Sequence, residues 1–442
     1  MVTDARGPVP RFPDGFLWGV STSAHQIEGA VGLREPSVWD VFTAEPGRVK
    51  DGSTAAVACD HYHRWPEDVA LLADLGVDAY RFSVSWPRVE SPGGLDFYDR
   101  LVDALCAVGV RPVPTLFHWD LPASLDWLER DTAYRFADHA ARVAERLGDR
   151  VGQWITLNEP AEHTLLGHAL GIHAPGKRLL FDALPAAHHQ LLGHGLAVRA
   201  LRAAGASSVG IANSHAPTWP ASADPADQEA AAFYDLLLNR LFLEPVVLGR
   251  YPDGMGELMP GDTEADARII GEPVDWYGIN YYAPARVGAP QGTDTEFGGV
   301  TVPAELPFSL KEIEGYPVTD FGWPVVPEGL TELLTGFRDR YGDRLPPVVV
   351  TENGCSYEGL DDQERITYLD AHVRALHGAL TAGVDVRGYF VWSLLDNFEW
   401  AEGYARRFGL VHVDFATRER TPKASYRWYR ELLRTLRGQG RG

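Results

Sequence analysis

Two glutamates stand where a carboxyl group can do chemistry. Glu159 closes the run Thr156-Leu157-Asn158-Glu159-Pro160, and Glu352 lies in Thr351-Glu352-Asn353-Gly354. Each ends a short β-type run, and the two are so far apart in the chain that only a fold can bring them together. A pair of carboxyl groups flanking one reacting bond suits cleavage of a glycosidic linkage: one protonates the departing oxygen while the other attacks the anomeric carbon. A lone strand-end Glu is more often an ion-pair partner, so the weight falls on its company. The chain has 13 Trp and 17 Tyr. Aromatic side chains mostly fill cores, but here several sit beside carboxylates and amides, which supplies the flat apolar faces and hydroxyl-binding groups a sugar pocket needs.

The elements that would position these groups alternate in type. Eight β-type runs cover Phe16–Thr22, Ala79–Trp86, Pro112–Phe117, Trp154–Glu159, Val209–His215, Trp276–Tyr282, Pro347–Glu352 and Arg387–Leu394. Amphipathic helical stretches separate them. Pro66-Glu67-Asp68 reads as the opening of one helix, with Pro in the first turn and acids at the positive end of the dipole. Phe97, Leu101, Leu105 and Val108 make an apolar stripe that Gly109 stops, and Ile366, Leu369, Val373, Leu376 and Leu380 make another that Gly383 ends. Repeated strand–helix units predict an α/β fold: a single-domain (β/α)8 TIM barrel spanning 1–442, with the barrel at about 14–437 and short flexible termini. Barrel sites form at the C-terminal ends of the strands. Those ends carry Ser85-Trp86 after Arg81, His118-Trp119-Asp120, Asn158-Glu159, Asn280-Tyr281-Tyr282, Glu352-Asn353, and Trp392 followed by Glu399-Trp400. A purely structural barrel has no reason to gather polar and aromatic groups at one rim.

The composition narrows the partners. The 442 residues are 45% hydrophobic and 23% charged, with 40 basic against 61 acidic residues for a net charge of −21. That charge repels phosphate backbones and excludes nucleic acid as a partner. No run of eighteen apolar residues exists, so no membrane helix is expected. The N-terminal stretch lacks a basic region followed by an apolar one, and Cys59, Cys106 and Cys355 are odd in number without CxxC spacing. Free thiols in a cytoplasmic protein are the expectation.

Taken in order, the motifs resemble family 1 glycoside hydrolases of the β-glucosidase type along nearly the whole chain. The resemblance is carried by Phe16-Leu17-Trp18-Gly19, Gln26-Ile27-Glu28-Gly29, Tyr80-Arg81-Phe82-Ser83, Trp86-Pro87-Arg88 and His118-Trp119-Asp120-Leu121-Pro122. It continues through the Glu159 motif, His173-Ala174-Pro175-Gly176, Asn280-Tyr281-Tyr282, the Glu352 motif and the run from Trp392 to Tyr404. It implies a retaining mechanism in which Glu159 is general acid and then general base, and Glu352 forms a covalent glycosyl-enzyme. The two carboxyl groups would lie about 5–5.5 Å apart, and Glu159 would be kept protonated by burial and by Glu352. Arg81, Tyr282 and Asn280 would orient Glu352. Gln26, His118, Trp119, Asn158, Glu399 and Trp400 would bind the sugar, with Trp392 as platform and Phe408 beside the 6-position. A carboxylate at Glu399 suits neutral hydroxyls and repels phosphate, which excludes 6-phosphoglycosides. No metal and no cofactor are implied.

Four departures from the family pattern fall on the leaving-group side. Ala161 replaces a Trp, the loop before Trp127 is only Ala-Ser-Leu-Asp, the Pro87–Phe97 connection is short, and Gly322-Trp323-Pro324-Val325-Val326-Pro327 keeps Trp323 as one aromatic wall. A wider aglycone site for bulky or apolar leaving groups is the expectation. Cys355 reads as a small buried filler, His188-His189 as structural, and His61 and His63 with Cys59 and Asp60 as no metal site. The resulting reading is a β-glucosidase acting on a small-molecule β-glycoside. Transglycosylation, β-galactosidase or β-fucosidase activity fit the same site, and a metal-dependent barrel hydrolase is a further reading. From a different class, an inactive glycan-binding barrel would lack one of the two Glu. Whether the protein is a monomer or a homo-oligomer stays open.

Overall fold

The computed structural model describes residues 7–297 and 300–439. Of the termini expected to be flexible, residues 1–6 and 440–442 lie outside the described residues, while Phe12 is buried and Arg374 donates to the Pro8 carbonyl. Eight strands form a closed parallel barrel: β1 (Leu17–Ser21), β2 (Ala79–Ser83), β3 (Arg111–Phe117), β4 (Trp154–Asn158), β5 (Val209–Ser214), β6 (Trp276–Asn280), β7 (Val348–Asn353) and β8 (Val386–Trp392). Their spatial order is β1-β8-β7-β6-β5-β4-β3-β2. These are the eight runs read from the sequence, with ends moved by a few residues. Parallel strands covered on both faces read as continuous apolar runs, as Val348-Val349-Val350 does.

One residue from each strand fills the barrel interior: Leu17, Ala79, Val113, Ile155, Ala212, Trp276, Val349 and Phe390 make a buried cluster of their own. Ring size is matched to absent side chains. A Cβ on Gly210 would stand 2.6 Å from the Trp276 ring, and one on Gly19 only 2.3 Å from the Phe390 ring. Outside the strands, the helices seal the main apolar core, which includes Tyr80, Phe97, Leu101, Phe136, Val143, Leu191, Leu334 and Leu376.

Three local readings are corrected. The helix at Pro66 runs from His61 to Leu75 and holds Pro66 in its interior. Proline there removes one backbone bond. Tertiary contacts hold the extra turn: His61 Nδ1 pairs with Asp68 Oδ2 at 2.7 Å, Arg420 holds Asp68 at 2.9 and 3.0 Å, and the Tyr62 amide donates to the Glu28 carbonyl. Val108 is the exposed cap of helix Gly94–Ala107 rather than part of its buried stripe. Trp86 does not end a strand but begins a short helix, Trp86–Glu90, because Pro87 fits its first turn. The connections after β5 and β6 also carry two small sheets, one mixed and one antiparallel, that no pattern foretold. One joins Thr218–Pro220, Ala285–Gly288 and Ser309–Lys311, and a hairpin pairs Thr295–Phe297 with Val300–Val302. They cover a satellite core of Ala230, Ala231, Val287, Val302, Leu306 and Phe308.

The strands that end at the two glutamates are irregular. Pairing shifts register between Ile155 and Asn158 on β4, and between Val350 and Glu352–Asn353 on β7. Such bulges re-aim side chains at barrel rims.

Trp276→Ala should empty the barrel interior beside Gly210. A loss of about 3–5 kcal/mol is expected for removing a buried Trp, read as a lowered unfolding midpoint in denaturant with the native circular dichroism retained.

Candidate active site

The site is built on strand ends. Arg81 extends from β2, Asn158 and Glu159 from β4, Asn280 and Tyr282 from β6, and Glu352 from β7. Glu159 follows the last residue of β4 with a left-handed backbone, φ 45° and ψ 58°, and begins the turn Pro160–Glu162. A non-glycine residue in this region is strained and held there by its surroundings. Its amide donates to the Ala212 carbonyl at 2.8 Å, and the His163 amide closes the turn onto its carbonyl at 3.0 Å.

The two carboxyl groups meet opposite environments. Glu352 is buried, with each oxygen occupied: Oε1 accepts from Arg81 Nη1 at 2.5 Å and Oε2 accepts from the Tyr282 hydroxyl at 2.7 Å. Glu159 Oε1 accepts from Asn280 Nδ2 at 2.8 Å, and no cation pairs with Glu159 among the described residues. Burial first, then the negative charge of Glu352, then Glu162, push the Glu159 carboxyl well above the usual carboxylate range; the Asn280 bond and Arg81 oppose this. A protonated Glu159 that accepts at Oε1 carries its proton on Oε2, free for transfer. Asn280, expected to orient Glu352, thus serves Glu159 instead. Its Oδ1 is taken by the Thr351 hydroxyl at 2.6 Å, which turns its Nδ2 toward Glu159 and Asn158.

Asn158 ties both halves together. Its Oδ1 accepts from Arg81 Nη2 at 2.5 Å and Asn280 Nδ2 at 3.0 Å, so its Nδ2 must be the atom 2.9 Å from His118 Nε2. An amide nitrogen only donates, so His118 Nε2 accepts and Nδ1 bears the hydrogen. Burial, with help from Arg81, keeps the imidazole far below its ordinary pKa and therefore neutral. His118 Nδ1 has no partner among the described residues, leaving a buried donor of the kind that binds a hydroxyl.

The remaining expected sugar-binding residues gather around this network. His118 stacks on Trp392 at 5.7 Å and on Trp400 at 5.9 Å. Gln26 Nε2 donates to Asn397 Oδ1 at 3.0 Å and to Glu399 Oε2 at 3.3 Å. Burial, then Glu352, raise the Glu399 carboxyl to about 8. Trp119 is placed differently from the expectation. Its indole N–H donates to the Asn158 carbonyl at 3.0 Å and its ring packs on Trp400 at 4.7 Å, so it buttresses other site residues. Ala161 is buried. Trp323 stacks on Phe321 at 4.2 Å, and both lie about 6.0 Å from Phe408.

Sequence reasoning missed Thr351, Phe321, Asn397 and Glu162. Thr351 and Asn397 sit inside motifs already singled out, and Phe321 immediately precedes Gly322-Trp323. Glu162 had no signal beyond its place one turn after Glu159. The thiols Cys59 and Cys355 are buried and Cys106 is exposed, all unpaired. His188 binds the Tyr251 hydroxyl and Asp266, and His189 binds the Trp127 carbonyl.

The model of glycosyl hydrolase family 1 matches residues 9–437. Thermostable beta-glucosidase B of Thermobispora bispora is 45% identical, over 98% of this chain and 92% of its own. A bifunctional beta-D-glucosidase/beta-D-fucosidase of Bifidobacterium breve is 42% identical over 96% and 98%. The crystal structure of the psychrophilic beta-glucosidase BglU from Micrococcus antarcticus superposes with a TM-score of 0.90 at 43% identity, covering 97% of this chain and 98% of its own.

Removing the negative charge of Glu352 should stabilise the ionised form of Glu159. In Glu352→Gln, the Glu159 carboxyl followed by 13C NMR is expected to titrate at lower pH than in the wild type. An unchanged titration would show that Glu352 does not act on it.

Proposed function

The chain belongs to glycosyl hydrolase family 1, and from that premise we propose that it is a retaining β-glucosidase with Glu159 as acid/base and Glu352 as nucleophile. The observation that carries this reading is the unequal treatment of the two carboxyl groups. A guanidinium and a phenol hold and orient the Glu352 carboxyl, while burial and repulsion raise the Glu159 carboxyl well above the usual carboxylate range. Environments that push two carboxyl groups apart assign the acid and the base.

In the first step a Glu352 oxygen attacks the anomeric carbon as the bond to the leaving oxygen breaks. The Glu159 proton moves to that oxygen and the aglycone departs as an alcohol. Glu352 is now an ester, its charge is gone, and the repulsion that held the Glu159 proton has vanished. Glu159, now a carboxylate, takes a proton from water as the water oxygen attacks the anomeric carbon. The ester breaks, the sugar leaves with its configuration retained, and both carboxyl groups return to their starting states.

The glycone pocket in this reading comprises Gln26, His118, Asn158, Glu399 and Trp400, with Trp392 beneath the ring and Phe408 beside the 6-position. Glu399 as hydroxyl acceptor disfavours phosphate. An apolar side chain at Phe408 also suits a 6-deoxy sugar, which favours β-fucosides as second substrates. The Tyr282, Phe321 and Trp323 rings, half-exposed, suit an apolar aglycone.

Hydrolysis of an aryl β-glucoside tests the assignment. Glu352→Gln should lose about a thousandfold or more in kcat. Azide should rescue Glu159→Ala, and NMR should identify the product as β-glucosyl azide. Full activity in Glu352→Gln, or an α-configured first product from the wild type, would overturn the proposed roles.

A further inference from the structure

We propose that Arg406 is a specificity-determining residue at the outer end of the leaving-group cleft, selecting β-glycosides whose planar aryl aglycone ends in a carboxylate. This rests on the glucosidase reading, in which the aglycone departs beside Glu159 and Glu352. A continuous aromatic wall leads from the nucleophile to the guanidinium. The Tyr282 hydroxyl donates to Glu352 at 2.7 Å, and the Trp323 ring lies 5.3 Å from the Tyr282 ring. Phe321 stacks on Trp323 at 4.2 Å, and the Arg406 guanidinium stands over the Phe321 ring at 5.2 Å. Tyr282, Trp323, Phe321 and Arg406 are all half-buried, so each keeps part of its surface open to solvent. A flat aglycone lying along Tyr282 and Trp323 therefore carries its far end toward Arg406.

The guanidinium is held in place but not saturated. Its Nε donates to Glu402 Oε2 at 3.2 Å and its Nη1 to the Asp320 carbonyl, while among the described residues its Nη2 makes no hydrogen bond. Glu402 does not serve Arg406 alone, because the same carboxylate pairs with Lys50 at 2.5 Å. Two cations thus share one carboxylate at this rim. Asp51 and Asp320, on the flanking loops, turn their carboxylates onto the backbone amides of Ser53, Tyr404 and Glu358 rather than onto Arg406. The neighbouring Arg407 turns away, to Asp396 and the Val413 carbonyl. At the inner end of the wall, Arg81 offsets the charge of Glu352. A guanidinium resting on an aromatic face keeps its planar fork oriented, and that fork matches a carboxylate. An aglycone carboxylate that meets Nη2 gains a charge-assisted hydrogen bond, stronger than the bond a neutral group would make there.

The probes are two phenyl β-glucosides that differ only in the para substituent, a carboxyvinyl group in one and its carboxamide in the other. The quantity read is the ratio of their kcat/KM values, acid over amide. In the wild type the ratio should exceed that of Arg406→Gln about tenfold and fall as salt is raised from low to high. Arg406→Lys should keep part of the preference, and Arg406→Glu should drop below Arg406→Gln. A residue that only braces Glu402 and the Asp320 carbonyl would slow both glucosides alike and leave the ratio unmoved. An equal ratio in wild type and Arg406→Gln overturns the role of Arg406 while leaving the glucosidase reading intact. A wild type that hydrolyses no aryl β-glucoside overturns that reading and the selectivity with it. Should the variants not fold, a wild-type ratio that is insensitive to salt overturns the proposal.

Discussion

A buried guanidinium organises the site. Arg81 is 1% exposed, and a charge so placed persists only if it is paired and its donors are met. Its partners are Glu352, the Asn158 side chain, the Thr351 carbonyl and the Thr115 hydroxyl. They come from β7, β4 and β3, so one side chain from β2 reaches across the mouth of the barrel. Because Asn158 Oδ1 accepts from both Arg81 and Asn280, the orientation of the second amide follows from the first. Asn280 in turn meets Glu159. The unequal environments of the two carboxyl groups thus follow in part from one buried cation that pairs directly with only one of them.

Around this network the site is stiffened by stacking. Trp400 packs against Trp39 at 4.5 Å, Trp119 at 4.7 Å and His25 at 5.9 Å. His25 is neutral, its pKa lowered by burial to about 3, and neither ring nitrogen has a partner among the described residues. Close packing of this kind resists rotamer change, so the groups proposed to hold the sugar are preorganised before it arrives, and no reorganisation is needed at the moment of reaction. Behind the site, the buried pair Lys423–Asp396 at 2.8 Å anchors the segment that carries Asn397 and Glu399.

Much of this was legible in the chain. The eight strands were, because parallel strands buried on both faces leave short apolar runs that alternate with helical stripes. The paired glutamates were, because Asn158-Glu159 and Thr351-Glu352 stand at strand ends, where a barrel puts its chemistry. What failed to read was whatever depends on a partner distant in sequence. Pro66 looks like a helix opening until Asp68 and Arg420 hold the preceding turn. Asn280 and Trp119 look like groups for nucleophile and sugar until Thr351 and the Asn158 carbonyl occupy their hydrogen-bonding atoms. The small sheets beside the barrel have three or four residues per strand, too short to show a period.

The sequence by itself therefore determined the barrel, the family and the two strand-end glutamates proposed to do the chemistry, since each is written in local pattern and residue type. Only the tertiary structure decided which carboxyl burial and a neighbouring charge push above the usual range, and which amide serves which glutamate. Protonation and hydrogen-bond direction are set by burial and by charges a few ångströms away, and those neighbours are brought together by closing the barrel, not by adjacency in the chain.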